Sequence, residues 1–172
     1  MFFCKKGGVS MGKGKLVICT ILLACTLCFF GGCKQRKPAV TPPDEKPYFE
    51  FQGVRVGTEF SIGEEAFGTY ENRIPEGDQT TYTYPHFMVI TGMVQNKEVI
   101  TSIILRSNAV TTEEEVAIGD TRETVLSAYG TEFIEDPLHG NLIYTKKDTV
   151  LTFLIDADGY VLTITYSQIA EE

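Results

Sequence analysis

The sequence predicts an α+β fold made of two similar halves, each a helix followed by antiparallel strands. Three observations support this prediction. Residues 118–131 read as a helix with a clear start and stop, a weaker copy of that stretch lies 62 positions upstream, and β-branched and aromatic runs follow each copy. We expect the helices to pack on one face of the sheet and the other sheet face to stay open.

The chain begins with a basic and then an apolar segment. Lys13 and Lys15 precede the apolar run 16–30, which is shorter than the roughly 20 residues of a membrane-spanning helix and is typical of an export signal. The run ends in Phe30-Gly31-Gly32-Cys33, which resembles the lipobox of bacterial lipoproteins. The resemblance implies cleavage before Cys33 and attachment of diacylglycerol to its thiol. An uncleaved membrane anchor is the alternative.

Residues 1–32 are therefore assigned to a lipoprotein signal peptide. Its start is open to a second interpretation, since Lys6-Gly7-Gly8 can be encoded by a purine-rich ribosome-binding sequence just before Met11. We hypothesise that translation begins at Met11. Residues 33–47 hold the lipidated cysteine and a charged, proline-rich stretch that predicts a disordered tether.

The second half, residues 111–172, contains the better-defined helix. Asp120 can cap its amino end, and Glu123 favours the positive end of the helix dipole. Gly130 can adopt the left-handed conformation that ends a helix. The sequence predicts a helix over 121–129, followed by strands at 141–145, 149–155 and 160–167, with the Asp-Gly turn 156–159 joining the last two.

The first half, residues 48–110, follows the same order in weaker form. A short helix is predicted near 61–67, because Gly63 disfavours a longer one. Strands are predicted at 80–84, 87–94 and 99–106. Val56-Gly57-Thr58 aligns with Ile118-Gly119-Asp120, and Ala66 to Thr69 aligns with Ala128 to Thr131.

This duplicated unit resembles the β-lactamase-inhibitor-protein-like fold. The stretch from Ile118 to Gly130 is also similar to the glycine–valine–aromatic–glycine signature of SmpA/OmlA envelope lipoproteins, although Thr131 stands where that family usually has proline. The resemblance implies an extracytoplasmic protein whose concave sheet carries a partner surface. No functional residue of either family is carried over.

Charge and cysteine content exclude several function classes. Four lysines and no acids precede Cys33, so the remainder holds 11 basic and 23 acidic residues. Such a domain repels nucleic acid and anionic lipid head groups, so nucleic-acid binding is excluded as a main function. No cysteine follows Cys33, so the folded part has no disulfide, no thiolate metal ligand and no cysteine nucleophile.

The polar clusters do not predict catalysis, a metal or a cofactor. Asp156 and Asp158 lack the spacing of an EF-hand and fit a hairpin turn. Residues 113–115, three glutamates, are typical of a solvated linker. His86 and His139 have no recognisable nucleophile at triad spacing, since Ser61 is not in a G-x-S-x-G elbow.

The strongest candidate for a partner-binding site is the cluster Tyr82, Tyr84, His86 and Phe87. Tyr82 and Tyr84 lie on the same face of their predicted strand. On the helix-free sheet face they would be anchors of the kind enriched at protein interfaces; on the other face they would be core residues. Both interpretations stay open from the sequence.

The sequence therefore predicts a lipid-anchored protein on the extracytoplasmic face of a bacterial membrane. Its expected role is non-catalytic, binding or scaffolding another envelope component, a protein, through the open sheet face. The alternative is an envelope hydrolase or small-ligand binder. The sequence does not identify the partner or distinguish between a cell with one membrane and a cell with two.

Overall fold

The structure is a computed structural model that describes residues 46–136 and 138–169. The predicted signal peptide, Cys33 and all of the tether before Lys46 lie outside the described residues. Within them, no helix is long and apolar enough to cross a membrane.

The described residues form two helices and ten strands. The helices are α1 (Phe60–Phe67) and α2 (Arg122–Tyr129). The strands are β1 (Glu50–Phe51), β2 (Val54–Arg55), β3 (Asn72–Glu76), β4 (Gln79–Thr83), β5 (Phe87–Val94), β6 (Lys97–Leu105), β7 (Ile134–Asp136), β8 (Asn141–Lys146), β9 (Thr149–Ile155) and β10 (Val161–Gln168).

Eight of these strands form one continuous antiparallel sheet in the order β3-β4-β5-β6-β10-β9-β8-β7. The predicted α+β class with two helix-plus-sheet halves was therefore wrong: the described fold is mainly antiparallel β, and its two helices have eight residues each. The physical reason lies at the sheet centre, where β6 and β10 pair from Leu105 opposite Ile164 to Ser102 opposite Ser167. These backbone hydrogen bonds merge the strands into a single sheet.

The six strands predicted from β-branched and aromatic runs are all present, with ends shifted by no more than two residues. Their hairpins explain the register. Gln95 and Asn96 connect β5 to β6 with φ of 51° and 64°, as a tight two-residue turn requires. The predicted turn at 156–159 is confirmed: Asp156 Oδ1 accepts from the N–H groups of Asp158 and Tyr160 at 3.0 and 2.8 Å.

Both helices occur close to their predicted positions, but the predicted N-cap of α2 was wrong. Thr121 caps this helix, since its Oγ1 accepts from the Thr124 N–H at 3.3 Å. Asp120 instead accepts from the Ala117 N–H at 2.8 Å and closes the turn before the helix. Asp120 and Thr121 are adjacent and both residue types are good caps, so the sequence alone does not separate them.

The core lies against one face of the sheet. Alternate side chains of the strands point into it, as the burial of Phe87 and Val89 in β5 and of Leu151 and Phe153 in β9 shows. The small elements cover this face with apolar side chains, among them Phe51 from β1, Val54 from β2, Phe60 from α1 and Val125 from α2.

The segment before β1 is fixed by a buried threonine. The Phe49 N–H donates to Thr149 Oγ1 at 3.0 Å, and Thr149 donates in turn to the Lys146 carbonyl at 2.8 Å. Thr149 has no exposed surface. This contact places Phe49 beside the β8–β9 turn, so the chain before it enters the domain at that end of the strands.

Candidate interaction surface

Three of the four predicted partner-binding residues are core residues. Tyr82, Tyr84 and Phe87 expose 3%, 2% and 5% of their surface. Tyr84 stacks on Phe87 with ring centroids 4.6 Å apart, and Phe60 of α1 stacks on Tyr82 at 3.9 Å. The structure therefore resolves the two interpretations of this cluster in favour of the core. These rings cannot contact a partner in the folded domain.

His86 is the exposed member of that cluster. Its Nδ1 lies 3.1 Å from Ser107 Oγ, which also accepts from the Ala109 N–H at 3.0 Å. A hydroxyl that closes a local turn in this way stabilises the loop after β6. His139 lies in a separate loop, where its Nδ1 is 2.7 Å from Asp136 Oδ2.

The Asp136–His139 pair is an exposed loop contact. The hydrogen bond from His139, followed by that from the Leu138 N–H, lowers the pKa of Asp136. Within residues 46–136 and 138–169 no group of three or more His, Cys, Asp or Glu side chains is arranged to hold a metal ion.

A polar network closes the core beside Tyr82. Arg73 Nε donates to the Tyr82 hydroxyl at 3.1 Å, and that hydroxyl donates to Glu98 Oε1 at 2.9 Å. Thr91, 1% exposed, donates to the same Glu98 oxygen at 2.6 Å. Burial raises the pKa of Tyr82 although the bond from Arg73 acts against the shift. The phenol thus stays protonated and serves as a donor to Glu98.

A shallow cavity of about 340 Å³ opens beside this network, at the start of α1. Its walls are Glu59, Phe60, Ser61, Glu64, Tyr70, Tyr82, Lys97 and Glu98. Lys97 forms an ion pair with Glu59. Neither histidine is on its wall, so Ser61 has no imidazole base beside it there, and the nucleophile–base arrangement of hydrolases is not assembled in this cavity.

A second candidate surface is the sheet face opposite the core, which we call the outer face. We define it by two rows of cross-strand neighbours that run across all or nearly all of the sheet. The first row is Asn72, Thr83, Met88, Ile104, Thr165, Thr152, Ile143 and Ile134. The second row is Ile74, Thr81, Ile90, Ser102, Ser167, Val150 and Thr145.

The outer face carries no charged side chain in either row, in a chain with 38 charged residues. Its central members are half-buried by their strand neighbours, and its margins are more exposed, with Ile74 at 43% and Ile134 at 67%. None of these side chains belongs to the hydrophobic core. Two adjoining uncharged rows of isoleucine, methionine, valine and hydroxyl side chains form the kind of surface that binds by desolvation.

Sequence reasoning missed this surface because it followed the aromatic residues. The alternation that puts Tyr82 and Tyr84 on one face of the strand puts Thr81 and Thr83 on the opposite face. These threonines were the signal available in the sequence. Its continuity across strands depends on register, which becomes visible only in the folded sheet.

Comparison with known proteins gives a fold likeness and no family. No protein-family model matches the chain, and no curated protein matches its sequence. An extracellular protein containing an SCP domain from Bacillus anthracis aligns with a TM-score of 0.51 and 11% identity, over 66% of this chain and 44% of its own. A cysteine-rich secretory protein from Staphylococcus aureus aligns with a TM-score of 0.50 and 16% identity, over 69% and 46%.

A DUF4309 family protein from Bacillus subtilis aligns more weakly, with a TM-score of 0.43, 15% identity, and coverage of 65% of this chain and 79% of its own. The chain spans less than half the length of the first two structures, and at these identities the likeness shows the fold alone. Both of those proteins are described as extracellular or secretory, which is consistent with an extracytoplasmic location for this chain.

Proposed function

We propose that this chain is a lipoprotein anchored through Cys33 to the extracytoplasmic face of a bacterial membrane, where its outer face binds a protein component of the envelope without catalysing a reaction. The observation that carries the binding role is the absence of charge from both rows of the outer face. Acidic residues outnumber basic ones by 23 to 15, so a protein surface meeting the outer face avoids the repulsion that the rest of the domain exerts on anionic surfaces.

The chemistry of the outer face defines the class of partner. A partner patch rich in aliphatic and hydroxyl side chains would lose water against Ile104, Met88 and Ile90 without burying an unpaired charge. Binding of this kind should depend weakly on salt concentration, because charges are screened and apolar burial is not. The anchor would hold the domain close to other proteins of the same membrane.

Photo-crosslinking in intact cells tests the binding role. A photo-reactive side chain at Met88, on the outer face, should form adducts with a defined protein, and the same side chain at Ser127, which is exposed on α2, serves as the matched control. The additional substitution Ile104→Lys should abolish the adduct at Met88, since it places a charge at the centre of the outer face. Equal adducts from positions 88 and 127 would refute the proposal.

The anchor has its own test. Metabolic labelling with a fatty-acid analogue should tag the chain, and Cys33→Ala should remove both the label and the recovery of the chain with membranes. A Cys28→Ala variant controls for loss of a thiol elsewhere in the same apolar run. Retention of the label in Cys33→Ala would show that the lipobox is misassigned.

A further inference from the structure

In the first row of the outer face, large side chains on one side of the sheet centre are matched by small ones at the same distance on the other side. On the β6 side of the centre lie Ile104 and then Met88, and on the β10 side lie Thr165 and then Thr152. The next pair outward has the opposite sense, Thr83 on one side and Ile143 on the other. In these three pairs a large side chain lies at the same distance from the β6–β10 boundary as a threonine, and in the outermost pair Ile134 is matched by Asn72.

Within the first row this arrangement is complementary to itself, whereas in the second row the same axis pairs Ser102 with Ser167 and Ile90 with Val150. A two-fold axis parallel to the strands, placed over the β6–β10 boundary, lays β6 of one copy over β10 of the other. Ile104 then meets Thr165 of the second copy, and Met88 meets its Thr152. Sheets packed face to face lie about 10 Å apart and cross at about 30°, so these inner pairs keep their opposition and large side chains enter the space above small ones.

From this geometry we propose that the outer face is the interface of a homodimer, with a second copy of this chain as its occupant. The inference rests on the proposed function in that it uses the same surface, and it names the partner. Every member of both rows is uncharged, so contact along the two rows buries no charged side chain, and Glu76 and Asp136 follow Ile74 and Ile134 at the margins of the same face. Both copies use the same surface in this two-fold contact, so no further copy can add to it and the product is a dimer.

The extent of the face suits such a contact. Eight strands spaced about 4.8 Å apart and paired over about five residues of about 3.3 Å cover roughly 650 Å² in projection, and a pleated surface exceeds its projection. A standard stable interface uses about 800 Å² per partner. The outer face is therefore large enough when most of the sheet takes part.

The axis also agrees with anchoring in one membrane. Phe49 is held beside the β8–β9 turn by Thr149, so the preceding chain enters at that end of the strands. An axis parallel to the strands places both points of entrance at the same end of the dimer. Both copies therefore present their amino-terminal segments on the same side of the dimer, as anchoring in one membrane requires.

Cysteine crosslinking of the full-length chain in intact cells tests the dimer. No cysteine follows Cys33, so a reporter cysteine introduced in the domain is unambiguous. Ser102→Cys lies on the outer face next to the axis, and Ser127→Cys on α2 is the matched control. We expect a short bis-maleimide to convert the Ser102→Cys chain into a dimer and to leave the Ser127→Cys chain monomeric.

Two further substitutions test complementarity in the Ser102→Cys background. Thr165→Ile places isoleucine over Ile104 of the second copy and should cause loss of the crosslinked dimer. The exchange Ile104→Thr with Thr165→Ile restores one large and one small side chain at each pair and should recover it. Dimer yield equal to the Ser127→Cys control, or no recovery on exchange, overturns the homodimer.

The outcome also separates this inference from the proposed function. If Ser102→Cys forms adducts only with a different protein, the outer face is a binding surface but its occupant is not a second copy. If Ser102→Cys forms no adduct with any protein, both the homodimer and the binding role of the outer face fall.

Discussion

The hydroxyl of Tyr144 in β8 donates a hydrogen bond to the carbonyl of Gly130, the residue that ends α2, at 2.9 Å. Gly130 has φ 81° and ψ −167°, a backbone region that essentially only glycine occupies. The tyrosine thus ties the end of the helix to the sheet in a conformation that an L-residue resists. Gly68, which ends α1, has the same character with φ 79° and ψ −152°.

The first prediction follows from that backbone. Gly130→Ala should lower the free energy of unfolding by about 1–3 kcal/mol, the cost of holding a side-chain-bearing residue in a region of this kind. Steric contact is not the cause, because a Cβ at Gly130 would have no heavy atom within 4 Å. Urea unfolding measures the change. Ser127→Ala in the same helix is the control and should stay within about 0.5 kcal/mol of the parent.

The second prediction concerns the threonine that fixes the amino-terminal segment. Thr149→Val keeps the shape of the side chain but leaves the Phe49 N–H and the Lys146 carbonyl without this partner. Loss of a buried partner should lower the free energy of unfolding by about 1–3 kcal/mol. Thr69→Val, at an exposed threonine outside the helices, the strands and the outer face, is the control. Equal effects of both substitutions would contradict the proposed role of Thr149.

The third prediction contrasts two tyrosines two residues apart. Tyr82→Phe removes the donor to Glu98 and the acceptor for Arg73, so unfolding free energy should fall by about 1–3 kcal/mol. Within the described residues the Tyr84 hydroxyl is buried and has no hydrogen-bond partner. Tyr84→Phe should therefore leave stability unchanged or raise it. Urea denaturation at neutral pH measures the free energy of unfolding of both variants. A larger loss in Tyr84→Phe than in Tyr82→Phe would contradict the prediction.

The fourth prediction is a loss of stability in alkali. Burial raises the pKa of Tyr84 and of Tyr129 to about 12 from an ordinary value of 10.0, and burial raises that of Tyr166 as well. Below pH 10 these phenols are protonated in both states and their contribution to stability is complete. Above it the unfolded chain releases protons first, so the free energy of unfolding falls as pH rises from about 10 towards 12.

Urea unfolding at pH values on both sides of 10, with tyrosinate absorbance recorded in parallel, measures this effect. Tyr129→Phe has no proton to lose at that position, so its stability should fall less steeply with pH than that of the parent chain. Tyr48→Phe, in which a half-buried tyrosine is changed, is the control. A parent chain whose stability is constant up to pH 12 would contradict the prediction.

Local patterns in the sequence predicted the local structure well. The six strong strands and both helices follow from alternation, from β-branched content and, for α2, from Gly130 at the helix end. The strands missed by the sequence lack those signals: β3 contains Asn72, Pro75 and Glu76, and it forms because each of its residues pairs with β4. Its proline is tolerated because an edge strand does not need every N–H.

The class of fold and the site could not be predicted in the same way, because both depend on which strands meet. Nothing in the sequence of β6 states that Ile104 lies beside Thr165, 61 positions later. For the same reason the sequence did not decide on which sheet face Tyr82 and Tyr84 lie. The structure decides it, because Phe60 of α1 stacks on Tyr82. The predicted duplication stays a prediction, although Gly57 and Gly119, 62 positions apart, have φ of 90° and 91°.

The two edge strands of the sheet determine whether neighbouring copies of the chain can pair edge to edge. At one margin, β3 carries Pro75 and the charges of Arg73 and Glu76, and at the other margin β7 is only three residues long. Margins of this kind offer few free backbone groups to a neighbouring strand. Many copies of the chain can therefore be present at high concentration without their strands joining into fibres.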